Sequence, residues 1–538
     1  MKRIYIGLMV VMVALAACGA PAEAEVATER STSAPVATAV TEEMATTPAP
    51  TDRPTAMPTA TPVPLPTLGP VTVLPDEEAE LILYALLSED FTISGEALRR
   101  IIIANDPRFV PVLIDMLYFD RLNVTPRAQL TEHVETLELL TGVFYGDDWI
   151  QWAEWYAGQD DITPPPGYAT WKGLVLGRLS SGFRSILQDG QPARIRVEDI
   201  QWGGVAFDGI PALDNPAMIP GGAVTYLDPA EPVFGLYFNG EARAYPLRIM
   251  DWHEMANDTV GGVEVALAYC TLCGSAIAYR RVLPEAVSAA AGLEAGQPLT
   301  FGSSGLLYSS NKLMFDRETL TLWSHITGEP VYGPLAESGI VLERLPVVLT
   351  TWGEWLALHP KTTALDIVTG HNRQYEPGTP YGVYFEGEEV WFPVFQRSTL
   401  LSDKARVYAI VLNGAPKAYP VGALTQDRVV NDVLGGVELV LIADPDEVIV
   451  DGTDFVNQRV VNYSAGLTVR AYASEGIEFA LDDDGQVVDA DGTVWTVTEE
   501  ALVGPDGREL ARLPGHLAYW FGWFNFYPRT EVYSATGR

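Results

Sequence analysis

The chain is poor in cysteine, in positive charge and in long apolar runs. Three cysteines in 538 residues cannot supply a disulfide-stapled scaffold. Only 34 lysines and arginines stand against 70 acidic residues, and the formal charge of −36 argues against a nucleic-acid partner, because neutralising phosphates needs a basic surface. Beyond the first eighteen residues no run is long and apolar enough for a transmembrane helix. What is present is a hydrophobic content of 48% and 13 tryptophans, the composition of a packed globular protein. The part after the N-terminal region, about 460 residues, exceeds one core and predicts two to four domains.

Residues 1–18 read as an export signal. Lys2 and Arg3 precede an apolar run from Ile4 to Ala17 that is too short to span a bilayer comfortably. It ends in Leu15-Ala16-Ala17-Cys18, which resembles the bacterial lipobox, in which the cysteine is diacylated. The competing reading is an ordinary signal with a chance Cys18. The lipobox predicts an exported protein held at the extracytoplasmic face of the cell membrane through lipidated Cys18, since a diacylglyceryl group anchors stably. Residues 19–75 are mostly Thr, Ala, Pro, Glu and Val, and too few apolar groups are available to offset the entropy of ordering them. They predict a disordered tether of about 40 Å mean reach.

Residues 76–160 predict a small all-α domain. Asp106-Pro107 opens a helix over Arg108 to Phe119, Thr125-Pro126 opens another, Gly142 stops it, and Ser94 is placed as the cap of the helix through Leu98 and Ile102. The short helices resemble a HEAT-like stack. Trp149, Trp152 and Trp155 are read as core or docking aromatics rather than a ligand cage. Pro164-Pro165-Pro166-Gly167 marks a boundary.

Beyond it, dense turn signals and short runs of Val, Tyr and Leu predict β structure. Asn239-Gly240 between two apolar runs is a hairpin turn. Asn239 to Glu264 can be laid without gaps on Asn413 to Glu438, 174 positions later, and 11 of the 26 positions are identical, where average residue usage would give about two. Two related β units, 195–370 and 371–538, follow from this repeat. The fold class is multidomain α+β, with a helical domain before a duplicated, mostly-β body.

Cys270 and Cys273, in Tyr269-Cys-Thr-Leu-Cys-Gly274, sit at a bend between two strands, with His253 seventeen residues upstream. Their counterparts in the second unit are Asp427 for His253, Asp444 for Cys270 and Glu447 for Cys273, so chemistry is expected in the first unit only. Two thiols and an imidazole suit zinc, copper or iron, with Asp251, Glu254 or His325 as a fourth ligand or an open position. Gly274 stands where haem attachment would need His. A redox dithiol is the second reading, although no thioredoxin-like strand–helix pattern surrounds the pair. Two small buried residues beside a hydrogen-bonded core histidine is the third.

Asp316-Arg317 could form a carboxylate–guanidinium cluster at a pocket, with a solvated hairpin end as the plainer reading, and Asn257 and Asp258 are further pocket candidates. Phe301-Gly-Ser-Ser-Gly305 lacks the lysine of a phosphate loop. His359, His371 and His516 stand beside Pro or Gly and read as surface residues.

Asp208-Gly-Ile-Pro-Ala-Leu-Asp-Asn-Pro216, Asn239-Gly-Glu-Ala-Arg-Ala-Tyr-Pro-Leu247, Trp252-His-Glu254, Asn257-Asp-Thr-Val-Gly-Gly262 and Tyr269-Cys-Thr-Leu-Cys-Gly274 follow in order. So do Gly305-Leu-Leu-Tyr308, Phe315-Asp-Arg317, Leu322-Trp-Ser324 and Thr327-Gly328. Together they resemble the bacterial and archaeal family called domain of unknown function 3179, over about Gly204 to Leu424. The resemblance implies no particular reaction, and the family pattern often carries Gln at the place of His325. The expectation is a membrane-anchored extracytoplasmic lipoprotein with a metal or thiol site in its first β unit. The rival is a cell-surface module that binds a small molecule or a protein and catalyses nothing.

Overall fold

The computed structural model describes residues 67–535 apart from 126–128 and 456–457. The export signal, Cys18, Pro126 and most of the tether lie outside the described residues. The end of the tether has structure, contrary to expectation. Gly69 N–H donates to Ile102 O (3.3 Å) and Thr72 N–H to Ala104 O (2.7 Å). The chain thereby satisfies carbonyls that the helix Phe91–Ala104 leaves open at its C-terminus.

Asp106 does organise the helical region. Its carboxylate accepts from Arg108 N–H at 3.1 Å, and Pro107 opens a 3-10 turn that leads into the helix Val110–Arg121. Gly142 ends Leu130–Thr141 in the left-handed conformation, with its N–H on Glu138 O. The cap of Phe91–Ala104 is Asp90 rather than Ser94. Asp90 accepts from Thr92 N–H at 2.9 Å, and Ser94 is buried inside the helix. Val110–Arg121 is buried nearly all round, as a central helix must be.

Helices do not stop at the proline break. Tyr168–Leu176 follows it and returns to the same core, with Trp171 fully buried and Tyr168 Oη donating to Asp115 at 2.5 Å. One continuous core runs from these helices into the β body, and Tyr118 Oη reaches Trp202 O at 2.7 Å.

Beyond residue 200 the chain is mostly strand, with its sheets set in a propeller-like ring. The order strand, strand, short helix, strand, strand occurs at 232–270 and again at 406–453. Pro232–Phe238 pairs antiparallel with Glu241–Pro246 across Asn239 and Gly240, both at positive φ, as a tight hairpin turn requires. Arg406–Leu412 pairs with Ala415–Pro420 in the same way across Asn413 and Gly414. Matching side-chain bonds lock both segments. Asn239 Nδ2 donates to Gly261 O (2.7 Å) and Asn413 Nδ2 to Gly435 O (3.0 Å). Trp355 Nε1 donates to Thr362 Oγ1 (2.8 Å) and Trp523 Nε1 to Thr530 Oγ1 (2.9 Å).

The two segments differ after Val263–Cys270. There the first turns back within four residues into Ser275–Arg280, whereas Val437–Thr453 runs on and returns as the long strand Val460–Ala473.

The paired glycines give a test of this architecture. A methyl on Gly261 would lie 1.9 Å from Phe238 O, and one on Gly435 would lie 2.2 Å from Leu412 O, whereas Gly262 and Gly436 face open space. Gly261→Ala and Gly435→Ala should each cost at least about 2 kcal/mol in urea unfolding, against roughly 1 kcal/mol for Gly262→Ala or Gly436→Ala, where only the left-handed backbone is penalised. Equal costs at all four positions would contradict the close backbone approach.

Candidate functional site

The cysteine turn is built by strand register. Val263–Cys270 and Ser275–Arg280 stay paired up to Cys270 and Ser275, so only Thr271 to Gly274 remain to reverse the chain. Gly274 takes φ 59°, and a methyl there would meet the Tyr519 ring at 2.9 Å and Arg406 Nη1 at 3.1 Å. The turn is also held from outside: Tyr384 Oη donates to Leu272 O (2.6 Å) and Tyr519 N–H to Cys273 O (2.8 Å).

Cys270 and Cys273 are joined as a disulfide, with Cα atoms 5.5 Å apart. The two sulfurs have different surroundings. Cys273 is fully enclosed, with Ser275 Oγ 3.4 Å from its sulfur and His325 Nε2 a further 2.7 Å from that hydroxyl. Burial, reinforced by Lys312 and Arg344, pulls the His325 pKa down to about 3, so the ring is neutral near pH 7 and is a weak base. Its Nδ1 has no partner among the described residues.

Cys270 instead lines a cavity of about 40 Å³, room for about three water-sized groups. Glu254, Thr271, Ser303, Lys312 and Tyr381 line it too. Glu254 ends the helix Leu247–His253 in the left-handed conformation. Its carboxylate accepts from Thr271 Oγ1 (3.0 Å) and Ser303 Oγ (3.4 Å) and pairs with Lys312 Nζ (3.2 Å). Lys312 Nζ also donates to Glu254 O at 3.0 Å. Burial lowers the Lys312 pKa and the adjacent Glu254 opposes that shift.

The expected convergence of His253, Cys270 and Cys273 does not form. His253 Nδ1 meets Pro211 O at 2.7 Å and Nε2 meets Tyr375 Oη at 2.5 Å, so both ring nitrogens are occupied away from the sulfurs. Among the described residues no group of three or more His, Cys, Asp and Glu side chains could hold a metal ion, so zinc, copper or iron has no assembled ligand set there. The proposed fourth ligands are likewise dispersed. Glu254 is committed to Lys312, His325 to Ser275, and Asp251 is buried in a setting that pushes it well above the usual carboxylate range.

The other candidates clamp the fold. Asn257 exchanges hydrogen bonds with the Phe301 backbone at 2.8 and 3.0 Å, and Asp258 takes Arg243 and Tyr245, each at 2.6 Å. Asp316 is fully buried against Trp323 Nε1 (2.7 Å), not at a solvated hairpin end, and Arg317 bridges Asp208 and Asp214. His516, expected at the surface, is buried in the strand His516–Tyr519. Lys312, Ser303, Thr271 and Tyr381 are the site residues that the sequence reading missed. Lys312 did leave a signal, being one of six lysines in the chain and standing directly before the apolar run Leu313-Met314-Phe315.

Residues 207–530 match the family model described as Protein of unknown function (DUF3179), which covers more than half of the chain, and the chain belongs to this family. The match runs past Leu424 and takes in the strands from Arg406–Leu412 to His516–Tyr519. No curated protein and no solved structure matches significantly.

Two outcomes follow from these environments. Burial lowers the His253 pKa from 6.5 to about 4. Its neutral burial therefore contributes full stability above pH 6.5, and the contribution is lost as pH falls toward 4, because the unfolded chain takes up the proton first. The stability gap between wild type and His253→Gln in urea should narrow by about 2 kcal/mol from pH 7.5 to pH 5. A gap independent of pH would show that the ring is not held neutral. Second, Lys312→Met should cost about 3–5 kcal/mol by leaving Glu254 buried and unpaired, and Lys312→Met/Glu254→Gln should recover much of that loss. A double variant as unstable as the single one would refute the pairing.

Proposed function

We propose that the protein is an exported lipoprotein, anchored through Cys18 at the extracytoplasmic face and standing off on its tether, whose first β unit is a thiol–disulfide exchange centre. We further read the body as a duplication in which the second unit keeps the scaffold and lacks the thiols, and the N-terminal helices as a HEAT-like stack. The matching side-chain locks at Asn239 and Asn413 and at Trp355 and Trp523 support the duplication.

One observation carries the exchange reading: the asymmetry of the bonded pair. Cys270, though buried, lines a largely apolar cavity that Glu254 and Lys312 also reach, while Cys273 is enclosed and backed by Ser275 and neutral His325. Exchange needs one sulfur open to attack and one that closes the ring. The cavity has room for the sulfur-bearing end of a small thiol, which favours a low-molecular-weight thiol or disulfide as co-reactant.

With the pair reduced, the Cys270 thiolate attacks a substrate disulfide RSSR. The first RS⁻ leaves with the proton that Cys270 lost, and Cys270 carries SR. Cys273 then attacks Cys270 through its sulfur, releasing its proton past the neighbouring Ser275 Oγ. The Cys270–SR bond breaks, and the second RS⁻ takes that proton. Two electrons have moved from the dithiol to RSSR, giving two RSH and the protein disulfide, and two RSH reverse the sequence.

Native protein incubated with reduced glutathione should yield alkylatable Cys270 and Cys273 by mass spectrometry. Cys273→Ser should trap glutathione on Cys270, and Ser275→Ala should slow ring closure by at least about tenfold. A bond that opens only after denaturation would reduce the pair to a structural cross-link.

A further inference from the structure

The second β unit carries an open cleft of about 420 Å³, far larger than the cavity beside Cys270 and in the range of small-molecule sites. We propose that this cleft binds a zwitterionic α-amino acid with an apolar side chain. The inference is independent of the cysteine chemistry.

Arg406 gives the first argument. In a chain with twice as many acidic as basic residues, its guanidinium has no carboxylate partner among the described residues. It lies over the Tyr519 ring, 4.6 Å from the centroid, and donates to Tyr519 Oη at 3.1 Å. The remaining fork of N–H groups matches a carboxylate, which arginine grips through two parallel bonds. Gly274 and Tyr519 fix its position from below, so the fork is held before any ligand arrives.

The opposite charge is supplied by the rim. Lys404 is itself engaged, its ammonium donating to Gly387 O (2.6 Å) and Tyr384 O and lying 3.8 Å from the Tyr384 ring centroid. Those bonds fix the turn after the helix Gly382–Glu386 and so bring Glu388 to the cleft, with Glu447 on its lining as well. A simple anion meeting Arg406 would also meet these carboxylates and be repelled. A ligand with both a carboxylate and an ammonium satisfies both walls. Between them lie the rings of Phe385 and Tyr463, 5.0 Å apart, a surface for an apolar side chain.

The test is a thermal-shift screen of the full chain against the twenty L-amino acids at about 10 mM each, since a ligand that binds only the native state raises Tm. At least one of leucine, isoleucine, methionine and phenylalanine should stabilise, and titration calorimetry should give its Kd. The N-acetyl derivative and the amide of that amino acid, each with one charge removed, should bind about tenfold or more weakly. Arg406→Gln should cost a similar factor. Should that variant misfold, exposed Glu388→Gln serves instead, weakening the parent amino acid but not its N-acetyl derivative. No stabilisation by any apolar amino acid, or an N-acetyl derivative that binds as well as its parent, would overturn the proposal.

Discussion

Glu254 is the residue on which the first β unit depends. Its left-handed backbone stops the helix Leu247–His253, its carbonyl accepts from Tyr269 N–H (2.9 Å) and from Lys312, and its carboxylate gathers Thr271, Ser303 and Lys312. One residue thus ties the helix end, the cysteine turn and the hairpin of Phe301–Tyr308 and Asn311–Asp316 together. A buried ion pair of this kind contributes little net stability, because desolvating both charges offsets their attraction. Its effect is positional. Removing either charge leaves the other unpaired in the interior, so the three segments stay in register or the unit loses its order.

The contrast between the two strand–strand–helix–strand–strand segments shows how the cysteine turn arises in only one of them. Both use the same hairpin, the same asparagine lock and the same tryptophan–threonine bond. They differ at one bend. A four-residue reversal brings two cysteines side by side in the first, whereas the second extends into a ribbon that pairs as far as Thr453 with Val460. Asp444 and Glu447 stand at an irregular stretch of that ribbon, Asp444 half-buried near Arg470 and Glu447 exposed. The length of the connection after the paired strand therefore decides which segment folds back as a tight turn.

Local chemistry made much of this fold legible in the sequence. Asn239-Gly240 and Asp106-Pro107 act through bonds to near neighbours, so their turns and caps were predictable. The bend at Cys270 was readable because strand periodicity fails there. What escaped depended on tertiary geometry. His253 lies one residue before Glu254, yet the left-handed kink between them sends the imidazole to Pro211 and Tyr375 while the carboxylate turns toward the cysteines. Sequence distance could not resolve that divergence. His516 was misread because Gly515 resembles a loop signal. The glycine is there for another reason, since a methyl at that position would lie 2.3 Å from Tyr408 Oη. The meeting of Lys312 with Glu254 spans 58 positions and has no periodic signature.

The two candidate sites share a wall, and this bears on how they are kept apart. Tyr519 donates its N–H to Cys273 O, while its ring supports Arg406 at the floor of the cleft. Tyr384 holds Leu272 O through its hydroxyl and Lys404 through its ring. These two aromatic side chains stand between the disulfide turn and the charged cleft, and both are buried. A rigid ring carries no charge of its own and loses little entropy when packed. It can therefore stabilise a cation on one side and fix a turn on the other without exposing the sulfurs to the water of the cleft. Access to Cys270 is then left to the opposite side, through the cavity of Glu254 and Lys312, where the polar groups are already paired and the attacking sulfur of a small thiol would not have to displace a bulk solvent shell.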